Sequence, residues 1–207
     1  MTGELNEFVD KLTGTLADGT VFVLAGDRSD SFSGGVSITL TSVALPTLET
    51  APITIADSTD TAPNGLRSGE SLTLDQGGSL GDRFVAVNAS LNINGGTVGD
   101  SLELVDSTAT FTGGNVGDNV RIGSGSTANI SGGTFGAGFR ARADDSTVNI
   151  SGGSFQSNFN VNTGTISGGQ FGIDFFAGSG VELVGGEFVF DGVALSCLLY
   201  TSPSPRD

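Results

Sequence analysis

The stretch VNISGGSF, residues 148–155, decides the fold because variants of it recur along the chain. From residue 77 onward a Gly-Gly pair occurs seven times, with first glycines at Gly77, Gly95, Gly113, Gly132, Gly152, Gly168 and Gly185. Successive pairs lie 18, 18, 19, 20, 16 and 17 residues apart. Self-similarity at a short and nearly constant period predicts stacked units rather than a fold around one central core.

Apolar residues keep fixed positions relative to each glycine pair. They stand four and two residues before the first glycine and three, seven and nine residues after it, as in Ala128, Ile130, Phe135, Phe139 and Ala141 around Gly132. The alternation is typical of strands with one buried face, and no window shows a helical period. Each unit is therefore predicted to supply two short strands joined by a glycine corner. Stacked units place like residues above one another at about 4.8 Å.

The predicted fold is all-β: a parallel β-solenoid of about seven coils over residues 71–196, wound right-handed. Residues 1–70 are predicted to form a small β-rich module that covers the first coil, because an open sheet edge pairs with other chains. Within it we expect a short helix through Leu5, Phe8, Val9 and Leu12, a hairpin of residues 12–16 and 21–24 around Asp18-Gly19, strands over 36–45 and 53–55, and a loop over 57–69.

Two phenylalanine columns are expected in the last coils. One holds Phe135, Phe155, Phe171 and Phe188, and the other holds Phe139, Phe159 and Phe175. An aromatic platform for sugars or bases would need these rings outside, but the alternation places them in the core. Between the apolar positions, Asn92, Asn129 and Asn149 either form a partial amide ladder or face water.

The composition restricts the partners. The 207 residues carry 23 acidic and 8 basic side chains and no histidine, for a net charge of −15. This charge disfavours nucleic acid and anionic membrane surfaces as partners. No apolar run is long enough to span a membrane. We therefore expect a soluble exterior protein, or one that meets divalent cations.

The last eleven residues, CLLYTSPSPRD (197–207), differ in character from the repeats. In one reading frame they back-translate to a string that resembles a transposase adapter used to prepare sequencing libraries. We expect this segment to be a disordered artefact, with the natural chain interrupted near Ser196. The only cysteine lies in it, so the rest of the chain offers no disulfide or cysteine nucleophile.

The unit [VA]-N-I-S-G-G-[TS]-F, at residues 128–135 and 148–155, resembles a family of exported bacterial β-solenoid repeat proteins that often end in PEP-CTERM-type sorting signals or dockerin modules. Residues 12–24 and 63–74 are also similar to the sequences between repeat arrays in that family. The resemblance implies a secreted or cell-surface location and carries over no catalytic residue.

Two chemical alternatives are weighed against a purely structural role. A calcium-binding β-roll is suggested by Asp82, Asp100 and Asp118, which share one position of successive units and then give way to Ala137. A solvated acidic turn explains the same column. A polysaccharide-active enzyme or tailspike-like fragment needs paired carboxylates, and the candidates are Asp144, Asp145, Asp174, Glu182 and Asp191.

The function expected from the sequence is a structural or adhesive extracellular module that is not an enzyme and belongs to a longer protein. No catalytic, metal or cofactor residue is assigned. Surface polysaccharide or another protein is the expected partner class, with no nucleic acid and no membrane span. Glu103, Arg121 and Arg140 share one outward column, where an ion-pair ladder is expected and a carboxylate-binding site is the remoter option.

Overall fold

The computed structural model describes residues 11–25, 44–45, 47–185, 188–190 and 193–195, and over these residues the chain is all-β without a helix. An antiparallel hairpin of Lys11–Thr15 and Val21–Ala25 comes first. A parallel β-solenoid of about seven turns follows, which confirms the predicted fold class. The hand of its winding stays a prediction.

Each complete coil has three faces, and every face is a ladder of parallel strands. Face A consists of Ile53–Ile55, Ser71–Leu74, Ser90–Ile93, Thr108–Phe111, Thr127–Ile130 and Thr147–Ile150. Face B consists of Ser79–Leu80, Thr97–Val98, Asn115–Val116, Thr134–Phe135, Ser154–Phe155 and Gln170–Phe171. Face C consists of Val85–Val87, Glu103–Val105, Arg121–Ile122 and Arg140–Ala141. The prediction of two strands per unit was wrong, because it missed the two-residue strands of face B.

Faces C and A merge near the end of the described solenoid. The strand Phe159–Ile166 pairs with Arg140–Ala141 through its first residues and with Thr147–Ile150 through its last. The strand Phe175–Leu183 then stacks on it along both parts. Each is one continuous strand where earlier coils have two strands, and the pairing of the two shifts register between Val161 and Thr163.

Face B ends in a hairpin. Phe188–Phe190 pairs in parallel with Gln170–Phe171 and antiparallel with Val193–Leu195. The Cα partner of Phe171 is Phe190. The prediction that Phe188 continues this column was therefore wrong. Two positions in a strand lie on the same side when they are two residues apart, so the alternation alone does not distinguish the two registers.

The core consists of apolar columns, as predicted from the sequence. Ile93, Phe111, Ile130 and Ile150 are Cα partners in sequence along face A, and all four are buried. The two phenylalanine columns also point inward. Phe135 and Phe155 stack with ring centroids 4.7 Å apart and planes 9° apart, and edge-to-face contacts join one column to the other. These contacts bind successive coils into one continuous interior.

The glycine pair lies at the first corner, between faces A and B, and its two glycines have separate structural roles. In most coils the second glycine has a positive φ, for example 98° at Gly133, where residues other than glycine are strained. The first glycine lies against the preceding coil. A Cβ on Gly132 would collide with the carbonyl oxygen of Thr112. Both positions therefore exclude side chains, which explains why the pair recurs as a unit.

The chain before the solenoid follows the prediction in part. The hairpin around Asp18-Gly19 and the strand over residues 53–55 are confirmed. The hairpin packs against the outer side of face C, where its Val21 and Val23 form one apolar cluster with Val85 and Val105. The predicted helix, apart from Leu12 in the first strand, and most of the strand over 36–45 lie outside the described residues, and Ala44 and Leu45 belong to no strand.

Ile53–Ile55 already pairs with Ser71–Leu74 as the first rung of face A. The domain boundary at residue 70 and the tail expected over residues 197–207 stay predictions, and the tail lies outside the described residues.

Candidate functional site

The aspartate column lies at the second corner, between faces B and C, and its carboxylates bind backbone. Oδ1 of Asp82 accepts a hydrogen bond from the backbone N–H of Asp100 at 2.9 Å. In the same way Asp100 accepts from Asp118 and Asp118 accepts from Ala137, both at 2.8 Å. Each carboxylate thus caps the corner of the next coil, and charge-assisted bonds of this kind are stronger than neutral ones.

These carboxylates also account for the glycines of the following coils. A Cβ on Gly99, Gly117 or Gly136 would collide with Oδ1 of the aspartate one coil earlier. Ala137 has no carboxylate, and the equivalent position above it is Gln156 rather than glycine. The aspartate and the glycine above it therefore form a structural pair. Within the described part of the chain, no group of three or more His, Cys, Asp or Glu residues is arranged to hold a metal ion.

A column of buried serines lies at the third corner, between faces C and A, and it was not predicted from the sequence. Ser107, Ser126 and Ser146 are each at most 2 % exposed. The Ser107 hydroxyl accepts from the N–H of Ala89 at 3.1 Å, and its single proton has two carbonyl acceptors within reach, those of Val105 at 2.8 Å and Ala86 at 3.0 Å. Serine at this position satisfies backbone groups that the corner would otherwise leave without partners. Recurrence of serine four residues before Phe111, Ile130 and Ile150 of face A is the signal that could have shown it.

The outer side of face A is uncharged over four coils. Its outward residues are all Ser, Thr or Asn: Ser90, Asn92, Asn94, Thr108, Thr110, Thr112, Thr127, Asn129, Ser131, Thr147, Asn149 and Ser151. Nδ2 of Asn149 donates to Oδ1 of Asn129 at 3.0 Å, whereas Asn92 is exposed. Of the two readings left open, the amide ladder therefore holds for Asn129 and Asn149. A shallow trough of about 230 Å³ follows these columns.

Only part of the ion-pair column expected on face C is exposed to solvent. Nε of Arg121 lies 3.3 Å from Oε1 of Glu103, and the Glu103 side chain is 4 % exposed. The prediction that Glu103 faces outward into solvent was therefore wrong. Glu103 shares its strand with Val105, against which the N-terminal hairpin packs. Arg140 is the next residue of the column and is exposed.

Beyond Arg121 the outer side of face C forms a cavity of about 340 Å³, which we call the arginine cavity. Its lining includes Arg140, Arg142, Asn158, Asn160, Asp174 and Phe176. Arg140, Asn160 and Phe176 are Cα partners on three successive rungs, and Phe176 is 54 % exposed. Arg142, Asn160 and Phe176 were not singled out from the sequence. The signal was available, since only one of the neighbours Phe175 and Phe176 can face inward in a strand.

The carboxylates considered for an enzyme lie at the surface wherever the structure describes them. Asp144, Asp145, Asp174 and Glu182 are all exposed. Oδ2 of Asp145 accepts a hydrogen bond from the hydroxyl of Ser124 at 2.6 Å. Asp174 lies at the arginine cavity, and Asp191 lies outside the described residues.

Two exposed turn carboxylates have lowered pKa values. At Asp18 the main cause is the hydrogen bond from the backbone N–H of Thr20. At Asp57 the Thr59 hydroxyl, which donates to Oδ1 at 2.6 Å, lowers the pKa most. Both hydrogen bonds stabilise the ionised carboxylate within its turn and do not prepare it for proton transfer.

The described residues include no helix of sufficient length and apolar character to cross a membrane. Comparisons with protein-family models, with curated proteins and with solved structures find no match for this chain. The class of the protein is therefore defined by its fold, the parallel β-solenoid.

Proposed function

We propose that the chain is a structural or adhesive repeat module that acts at the cell exterior and is not an enzyme. The observation that carries the proposal is the continuity of the ladder. On face A alone, strands stack from Ile53–Ile55 to the end of Phe175–Leu183 without a break in the parallel pairing. Eight rungs at about 4.8 Å give a rod of roughly 35 Å. A rod of this kind holds its outer faces at fixed spacing for contact.

The charge and the repeat pattern support an exterior location. A net charge of −15 keeps such a rod soluble and discourages lateral association with its own copies. The recurring VNISGG unit resembles repeats of exported bacterial proteins. Polysaccharide or protein on a neighbouring surface is the partner class that we propose for the outward columns.

The proposal is tested with beads that carry the intact chain in a flow cell. The surfaces are coated with polysaccharides or with proteins, and the control beads carry Phe155→Asp, which buries an unpaired charge and removes the fold with almost unchanged composition. We expect folded beads to be retained on at least one class of surface and control beads to be washed away. Equal retention of both, or of neither, would contradict the adhesive role.

The absence of catalysis is tested on the same polysaccharides in solution. Incubation with the chain should produce no new reducing ends and no unsaturated products. Either product, formed by the folded chain and not by Phe155→Asp, would move the protein into the enzyme class.

A further inference from the structure

We propose that the arginine cavity binds the carboxylate-bearing unit of an acidic polysaccharide, a uronic acid residue. This inference rests on the proposed adhesive role for its biological meaning and names the contact that the role would use. Its evidence is the chemistry of three consecutive rungs on the outer side of face C.

The first observation is a pair of arginines that form no ion pair among the described residues. Acidic side chains outnumber basic ones by 23 to 8, and Arg67 and Arg121 each form an ion pair. Within the described part of the chain, Arg140 and Arg142 form none. Arg140 begins the strand Arg140–Ala141 and Arg142 directly follows it, with the buried Ala141 between them, and both arginines are exposed and line the cavity. Two neighbouring guanidinium groups match the two oxygens of a carboxylate.

The second observation is an unsatisfied acceptor in the same cavity. Oδ1 of Asn160 is buried and has no hydrogen-bond partner among the described residues. A buried polar atom without a partner costs stability that a bound donor recovers. Asn160 is the Cα partner of Arg140 on the next rung, so a hydroxyl beside the bound carboxylate is placed to donate to it. A simple carboxylate such as acetate has no such hydroxyl.

The third observation is an exposed aromatic ring on the rung above. Phe176 is 54 % exposed and is the Cα partner of Asn160. Its exposed side offers an apolar face to the C–H side of a sugar ring. Asp174 lies in the same lining and accepts from a hydroxyl, whereas it repels a second carboxylate. One ligand unit with one carboxylate, several hydroxyls and an apolar face satisfies all of these groups.

Size and charge agree with this assignment. A cavity of about 340 Å³ falls at the small end of the range for organic ligands, about 300–1,000 Å³, and is open to the surface as a polymer requires. The overall charge of −15 opposes an anionic ligand, but at physiological salt fields extend only about 8 Å, so the adjacent arginines dominate locally.

The test is a titration of the intact chain with trigalacturonate, followed by calorimetry and ligand-observed NMR. The matched ligand is the same trisaccharide with methyl-esterified carboxylates. We expect the acid to bind at least about tenfold more tightly than the ester, with a preference that shrinks as salt is added. Arg140→Gln and Arg142→Gln should each weaken binding of the acid by about tenfold or more. Phe176→Ala should weaken binding of acid and ester alike.

The control variant is Arg83→Gln, which makes the same charge change at an exposed arginine on an earlier coil and should bind like the unmodified chain. Melting curves show whether each variant is folded. The inference is overturned if the acid does not bind, if the ester binds equally well, if an acidic peptide binds as tightly as the sugar, or if the cavity variants bind normally. Bead adhesion by the unmodified chain, together with no uronate binding by that chain, would overturn this inference alone, whereas uronate binding without adhesion would count only against the adhesive role.

Discussion

Replacing Phe155 with alanine removes the ring at the centre of both phenylalanine columns. Phe155 is 3 % exposed and stacks between Phe135 and Phe171 at centroid distances of 4.7 and 5.1 Å. It also meets Phe139 and Phe159 edge-to-face at 5.4 and 5.1 Å. Truncation of a buried Phe to Ala costs about 3–5 kcal/mol through lost transfer energy and the remaining cavity. Four lost ring contacts of about 0.5–1.5 kcal/mol each place the expected value at the upper end.

The assay is urea denaturation followed by circular dichroism, with the free energy of unfolding taken from the midpoint and slope. A loss of about 4–5 kcal/mol is at least about a third of the stability of a domain held by about 5–15 kcal/mol, so the change is easily measured. The matched control is Phe176→Ala, which removes a largely exposed ring from a neighbouring coil and should cost about 0.5 kcal/mol or less. A loss below about 1 kcal/mol for Phe155→Ala, or equal losses for the two variants, would refute the inward packing.

The remaining predictions concern the corners. Gly136→Ala should lower the melting temperature because the new Cβ collides with the Asp118 carboxylate. Adding Asp118→Ala should restore only part of the loss, because the backbone nitrogen of residue 118 would still lie 2.9 Å from that Cβ. Additive losses of the two substitutions in thermal melts would disprove the pairing. Ser107→Ala should cost about 1–3 kcal/mol in urea, since the N–H of Ala89 loses its buried acceptor, and an unchanged midpoint would contradict that bond. Millimolar calcium should leave the melting temperature where an equal concentration of magnesium leaves it, whereas a calcium-specific rise would restore the β-roll hypothesis. Asp57→Ala should lower the melting temperature at neutral pH. Because the pKa of Asp57 is lowered in the folded chain, its stabilisation is present above the unfolded pKa of 3.8 and is lost as the pH falls through the folded pKa. A difference in melting temperature between variant and unmodified chain that persists in acid would argue against the Thr59 hydrogen bond.

The apolar columns could be predicted from the sequence because each has a fixed distance from the glycine pair. Face B could not, because a strand such as Thr97–Val98 has one inward residue and therefore no alternation to detect. The role of Asp100 as a cap was hidden for a different reason. Its partner is an N–H one coil away, and the position of that N–H depends on the stacking register.

The candidate site was harder to predict from the sequence than the fold. Arg140 was noticed through its column, but the cavity also needs Asn160 and Phe176 from the next two rungs. Alignment on the glycine pair does place these side chains in one column, because Arg140, Asn160 and Phe176 each stand eight residues after the first glycine of their pair. The observed Cα pairing shows the same stack. The alignment does not show the cavity that these residues line together with Arg142 and Asp174.

The coils differ in length mainly at one place. From face A to face B the step is 8 residues from Ser71 to Ser79 and 7 in the next four coils, as from Thr108 to Asn115 and from Thr147 to Ser154. From face B to face C it is 6. The step from face C back to face A is 5 residues after Glu103, 6 after Arg121 and 7 after Arg140, and it falls to 3 after Asn160. Most of the length variation among the coils is thus concentrated at the third corner, while the strands on either side remain paired. A foreign peptide grafted between Ala143 and Ser146 would extend a segment whose length already varies, which makes this edge of the rod the natural place to engineer a display scaffold.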